Sequence, residues 1–251
     1  MTVLLYDVKD RVATLTINRP EKRNSLTGEM IELLLKRLVE AENDADVRAI
    51  VITGSGEKAY CSGADLGDGV GGKGTIGYAA LLRRIVNYPK PTVSRVDGYC
   101  LAGGMGLMLA SDIVIASDRA VFGTPEVNVG LWPSMISALI YRNMLPKKAL
   151  PMILMGERFG AEKAYEMGFL SEVVPTAELD NRVQAITQSL AAKSPIGMKY
   201  GKASYNMMQT MPLDIALEYL SCELTKVTTT KDAAEGILAF MEKRQPNFIG
   251  E

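Results

Sequence analysis

Apolar and polar residues alternate between two periods along this chain. Residues 12–18 (VATLTIN) form a short β-branched run ended by the turn RPEKRNS. Thr27 is then placed to cap a helix over GEMIELLLKRLVEAEN, whose Met30, Leu33, Leu34 and Leu38 fall on one face. VRAIVITG at 47–54 reads as a buried strand stopped by glycine, followed by a polar loop, SGEKAYCSGADL. Five glycines in nine residues make 67–75 (GDGVGGKGT) the one stretch expected to be flexible. YAALLRRIVNY reads as a helix closed by Pro89 and Pro91, TVSRVDG and DIVIAS as strands, and SEVV at 171–174 as a late one. Helical patterns cover 146–156, 161–168, 176–193 and 212–243.

Strand and helix in strict alternation predict an α/β core with parallel crossovers, followed by a helical C-terminal portion. The division is expected near residue 195, giving 1–195 as the core and 196–251 as the helical region. The 251 residues are enough for one large domain with an appendage.

Charge and composition then exclude several functions. A net charge of −1 without a basic cluster disfavours nucleic acid, which needs concentrated positive surface. No apolar run of about eighteen residues predicts a membrane span, and the first residues lack a signal-peptide pattern. Cys61, Cys100 and Cys222 show no zinc or disulfide spacing, so a reducing, cytoplasmic setting is expected. The chain has no histidine. Ser–His and Cys–His pairs and imidazole bases are therefore excluded, leaving a carboxylate, Lys, Tyr or Cys as proton carrier.

Two loops that follow strands can present backbone N–H groups, Cys61-Ser62-Gly63-Ala64-Asp65 and Leu101-Ala102-Gly103-Gly104. In a parallel sheet both lie at the carboxyl ends of strands, where ligands bind. Two convergent donors, one at a helix start, suit a developing oxyanion. By themselves Gly103 and Gly104 read more readily as tight helix–strand packing, and neither nucleotide-binding glycine motif is satisfied.

Taken together and in order, RPEKRNSL, AYCSGADL, DGYCLAGGMGLMLASDIVIAS, FGTPEVNVGL and EGILAFMEKRQPNF resemble the crotonase superfamily, the enoyl-CoA hydratase/isomerase family, over essentially the whole chain. The resemblance implies a spiral of ββα units, a helical C-terminal trimerisation region and a homotrimer or homohexamer. It implies an acyl-CoA thioester as substrate, with coenzyme A part of that substrate and no separate cofactor or metal. The oxyanion donors fall on Ala64 and Gly103, and the acid/base on Glu126. The substrate and coenzyme A contacts fall on Lys22, Arg23, Ser62, Gly63, Asp65, Gly104 and Gly106, with Asp65 equally placed to cap a helix. Family hydratases carry a second glutamate where this chain has Gly106, which is expected to leave open space there. One carboxylate suits a Δ3,Δ2-enoyl-CoA isomerase or a single-glutamate hydratase-lyase, while the family's breadth narrowly favours a hydratase. A non-catalytic acyl-CoA-binding protein is the alternative of another class. Burial among Val127, Val129, Leu131 and Trp132 is expected to raise the Glu126 carboxyl, and Tyr60, Tyr78 and Tyr99 are candidate hydroxyls. Cys61, Cys100 and the methionines 105, 108, 135 and 144 read as packing or acyl-pocket lining.

Overall fold

The computed structural model describes residues 2–65, 67 and 73–251. Among them ten strands form two sheets. In chain order they are β1 (Leu4–Lys9), β2 (Val12–Ile17), β3 (Ala49–Gly54), β4 (Ala59–Cys61), β5 (Thr92–Val96), β6 (Tyr99–Leu101), β7 (Ile113–Ser117), β8 (Val121–Gly123), β9 (Arg158–Gly160) and β10 (Glu172–Val174). The larger sheet runs β1-β2-β3-β5-β7-β10 and the smaller β4-β6-β8-β9. Every pairing is parallel except β1 with β2 and β8 with β9. The pairs β3/β4, β5/β6 and β7/β8 each give one strand to each sheet. That repeated step is the spiral of ββα units.

Helix α1 (Gly28–Asn43) follows β2, α2 (Lys73–Val86) follows β4 and α3 (Gly103–Ala110) follows β6. Thr27 caps α1 by accepting the Met30 N–H at 3.2 Å. The helix buries Met30, Ile31, Leu34 and Leu38, with Leu33 only half-buried. α1, α2 and α3 cover one face of the large sheet through Leu34, Leu81, Ile85 and Met105. The other face carries Val51, Val93 and Ile115 against Leu179 and Val183 of a later helix. Cover on both faces explains why β3 reads AIVITG without alternation.

After β8 come α4 (Ser134–Asn143), α5 (Pro146–Met155), α6 (Ala161–Glu166), α7 (Leu179–Ala191), α8 (Pro195–Met208), α9 (Leu213–Thr228) and α10 (Lys231–Met241). The run expected to be helical over 212–243 breaks at Thr229 and Thr230, and Thr230 caps α10 by accepting the Ala233 N–H at 3.1 Å. The segment read as a polar loop contains β4, with Tyr60 and Cys61 fully buried. Three residues are too few to show a period, so β4, β6, β8 and β9 carry no pattern. The glycine-rich stretch at 67–75, expected to be flexible, lies outside the described residues except for Gly67 and the start of α2.

Candidate active site

Strands β4, β6 and β8 are parallel neighbours, with Cys61 opposite Cys100 and Leu101 opposite Gly123. The loops that leave them at Ser62, Ala102 and Thr124 therefore emerge at one edge of the small sheet, at the carboxyl ends of its strands.

The first loop is held from below by residues 19–26. Arg23 and Asn24 adopt left-handed backbone angles (φ 51° and 55°). Asn24 is fully buried, and its side-chain amide donates to the carbonyls of Ala59 at 2.6 Å and Ser55 at 2.9 Å. The Leu26 N–H bonds the Gly63 carbonyl, and the Asp65 N–H bonds the Leu26 carbonyl, both at 2.8 Å. In this parallel bridge, Leu26 uses the residues flanking Ala64, so the N–H of Ala64 faces the opposite side. Among the described residues that N–H has no partner, and Ala64 is exposed.

The second loop turns on Ala102. Its φ of 50° and ψ of −125° are rare for a residue with a Cβ. Such a conformation costs about 1–3 kcal/mol and persists only where neighbours enforce it. Here the Ala102 N–H bonds the Gly123 carbonyl and the Ala102 carbonyl accepts the Met105 N–H, each at 2.9 Å. Gly103 opens α3, and its N–H has no partner among the described residues. The loops touch: a Cβ on Gly63 would lie 3.2 Å from the Gly103 nitrogen and 2.7 Å from the Ala102 Cβ. Gly63 has a φ of 99° besides. Both N–H groups expected to hold an oxyanion thus sit on adjoining loops, each unpaired among the described residues, with Ala64 exposed and Gly103 half-buried.

Glu126 sits in the short 3-10 turn Pro125–Val129 after β8. The Asn128 side-chain amide ties that turn to the Gly156 carbonyl at 3.1 Å, and Phe122 stacks on Phe159 beneath it at 6.3 Å between ring centres. Glu126 Oε2 is buried without a hydrogen-bond partner, and burial pushes the carboxyl up, against an opposing pull from its own backbone N–H. Of the apolar neighbours expected around it, Val127 is half-buried while Val129, Leu131 and Trp132 are exposed. A buried carboxylate oxygen without a partner is a group prepared for a ligand or a proton.

Four expected substrate contacts turn elsewhere. Asp65 Oδ2 takes the Arg19 guanidinium at 2.8 Å, and Oδ1 accepts the Gly67 N–H at 3.0 Å, which braces the loop and holds the carboxyl below its usual value. The missing Cβ of Gly63 faces Ala102, and that of Gly104 would lie 2.2 Å from the Cys61 carbonyl oxygen. These glycines let the loop and α3 approach β4 and the turn before it. Gly106 leaves no open space: a Cβ there would lie 2.2 Å from Tyr78 Oη and 2.5 Å from Ile136 Cγ2. Lys22 and Arg23 are exposed, and Ser62 is half-buried, its N–H on the Arg23 carbonyl at 3.1 Å.

Tyr78 is the hydroxyl that reaches the site. It is buried on α2, donates to the Gly103 carbonyl, and its phenol is held well above the usual value, chiefly by burial and then by Cys61, Tyr60 and Cys100, with Glu126 contributing least. Tyr60 spends its hydroxyl on Ser94 in the core at 3.0 Å, and Tyr99 lies under Arg158. Burial pushes the Cys61 thiol up to about 12 and the Cys100 thiol up as well, so both are packing groups. Met105, Met108 and Met144 are buried in the main core. Asn24 and Arg19 are site residues that the sequence did not single out, and Tyr78 is the one of its three candidate hydroxyls that reaches the site.

Residues 7–251 match the family described as enoyl-CoA hydratase/isomerase. The chain belongs to this family. Within it, a short-chain-enoyl-CoA hydratase of Clostridium acetobutylicum is 30% identical over 254 residues, covering 96% of this chain and 95% of that one. A carnitinyl-CoA dehydratase of Escherichia coli is 32% identical over 250 residues, covering 95% of each chain. The crystal structure of enoyl-CoA hydratase from Bacillus anthracis superposes with a TM-score of 0.95 at 29% identity over 100% of both chains. The crotonase-like fold of this family member is thereby placed beside its relatives from end to end.

Proposed function

We propose that this chain is an enzyme of the enoyl-CoA hydratase/isomerase type, acting on an acyl-CoA thioester through an enolate. The Ala64 and Gly103 N–H groups hold the thioester oxygen as it gains charge, and Glu126 moves the proton. The observation that carries the reading is the unpaired Glu126 oxygen, buried on a turn at the same sheet edge as two unpaired N–H groups. Hydration is placed first, because the two relatives named above are a hydratase and a dehydratase. In that reaction Glu126 takes a proton from water while the water oxygen bonds C3 of a 2-enoyl thioester. The π electrons of the C2–C3 bond pass to the thioester oxygen, and Glu126 then returns its proton to C2. The same single carboxylate also suits a C2-to-C4 proton shift. Gly106 favours that second reading, since Tyr78 and Ile136 leave no room there for another acid.

Lys22 and Arg23, exposed on the 19–26 loop, are the cations proposed to meet the coenzyme A phosphates. The test is exchange of solvent deuterium into the α-position of a saturated acyl-CoA, run beside hydration of short 2-enoyl and 3-enoyl thioesters and read by product mass. Exchange with water addition supports the hydratase. Exchange with conversion of the 3-enoyl compound alone identifies an isomerase. A chain that binds the thioester and does neither is a binding protein.

A further inference from the structure

We propose that Tyr78 is the second polar contact of the reaction, its hydroxyl oxygen accepting a hydrogen bond from the water that Glu126 deprotonates. This deepens the hydratase reading and rests on it. A hydroxyl has one proton to give and two lone pairs to accept with. The Tyr78 proton is committed to the Gly103 carbonyl, so the oxygen faces the rest of its surroundings as an acceptor. Its place is decided by Gly106 and Gly103: an added Cβ would come to 2.2 Å of that oxygen at Gly106 and 3.4 Å at Gly103. Gly103, which Tyr78 bonds, stands on the loop leaving β6, and Glu126 on the loop leaving its neighbour β8, so both groups lie at one edge of the small sheet, where burial keeps the phenol neutral. A neutral phenol cannot remove a proton from water. It can fix where the water points.

A water molecule that loses one hydrogen to Glu126 needs its other hydrogen held for the oxygen lone pair to face C3. Glu126 supplies the first acceptor, the unpaired Oε2, and Tyr78 the second. In the step itself the bond from the water oxygen to C3 forms as the O–H bond toward Glu126 breaks. The remaining O–H, held by Tyr78, becomes the product hydroxyl. Nothing is gained or lost at Tyr78, which leaves the cycle as it entered.

This arrangement separates two activities that share the enolate. Exchange at the α-carbon of a saturated thioester needs Glu126 and the N–H pair but no attacking water. Hydration needs all of them and Tyr78. Tyr78→Phe keeps the ring and removes only the oxygen. Hydration kcat on a short 2-enoyl-CoA is expected to fall roughly tenfold, the rate equivalent of about one lost hydrogen bond, with KM and α-exchange within about twofold of the parent. Gly106→Ala, which pushes the hydroxyl aside without removing it, is expected to show the same selective loss, and covers the case in which Tyr78→Phe fails to fold. Equal losses of hydration and exchange would overturn the proposal, since Tyr78 would then act only by supporting Gly103. Undiminished hydration in a folded Tyr78→Phe would overturn it too. A parent chain that exchanges without hydrating removes the water from Tyr78 and leaves the enolate reading intact. One that does neither removes both.

Discussion

Gly106 lies inside α3, and a glycine there is open to a test whose sign separates two accounts. On helix propensity alone, Gly106→Ala stabilises, because alanine is favoured over glycine in a helix interior by about 0.8–1 kcal/mol. The packing predicts the reverse. The new methyl would stand 2.2 Å from Tyr78 Oη and 2.5 Å from Ile136 Cγ2, where ordinary contacts begin near 3.4 Å. The phenol must therefore move by more than an ångström and give up its bond to Gly103, a loss of about 1 kcal/mol. Crowding of a full core adds about 1–3 kcal/mol. Against the propensity gain the net is a destabilisation of about 1–3 kcal/mol. For a domain of this size each kcal/mol lowers Tm by about 2–4 °C, so a fall of about 4–8 °C is expected at the middle of the range. Thermal unfolding followed by circular dichroism, at matched protein concentration and pH, measures it. Gly201→Ala is the control, since Gly201 lies within α8, is exposed, and has nothing within 4 Å of an added Cβ. It should hold or raise Tm. A Gly106→Ala protein as stable as its parent would refute the placement of Tyr78 and everything argued from it.

Gly103→Pro deletes one N–H at a helix start that accepts proline, and kcat is expected to fall by about 10²–10³ in a folded protein; unchanged turnover would mean that the turn serves packing only. Glu126→Gln should abolish both exchange and hydration while acyl-CoA affinity, by equilibrium titration, stays within a few-fold. Because burial raises the Glu126 carboxyl above its ordinary 4.5, the acid limb of kcat/KM should lie above that value, the rate falling as pH drops and the base is protonated. The same shift means that the folded chain holds this proton more tightly than the unfolded one. Its contribution to stability is present at low pH and lost as pH rises through the folded value, so Glu126→Gln should gain in Tm relative to the parent between mildly acid and neutral pH. α9 and α10 expose Leu213, Ile237, Phe240 and Met241, an apolar face that a trimer or hexamer would cover; a monomer mass by sedimentation at micromolar concentration would contradict that assembly.

The chain's two periods were enough to read five of the six strands of its large sheet; β1 (Leu4–Lys9) was not among the strands expected. β2, β3, β5, β7 and β10 each span several apolar positions, and α1 announces itself with a cap and a stripe. The small sheet was not read because its three-residue strands lie within polar or glycine-containing segments, whereas the equally short β10 stands out by its Val173–Val174 pair; yet it is the small sheet whose edge carries the candidate site. Motifs located Ala64, Gly103 and Glu126 by resemblance. What they could not supply was the direction in which each glycine's missing side chain would point. Gly103, Gly104 and Gly106 look alike in LAGGMG, and only packing shows that a Cβ on the first would meet ordinary contacts while the other two make way for Cys61 and Tyr78. Tyr78 itself lies twenty-five residues from the carbonyl it bonds. A contact of that separation, between side chain and backbone, leaves no local pattern.

The bridge between Leu26 and Ala64 bears on how this site can change over generations of mutation. The donor at residue 64 belongs to the main chain, and its direction is set by the bonds of the residues on either side. Almost any side chain can replace the exposed Ala64 methyl without altering that N–H; proline alone deletes it. On the proposed reading, a position beside the thioester is therefore free to vary in size, polarity and charge while the N–H proposed to hold the enolate stays constant. Variation there can retune which acyl group is accepted, with the chemistry insulated from the experiment.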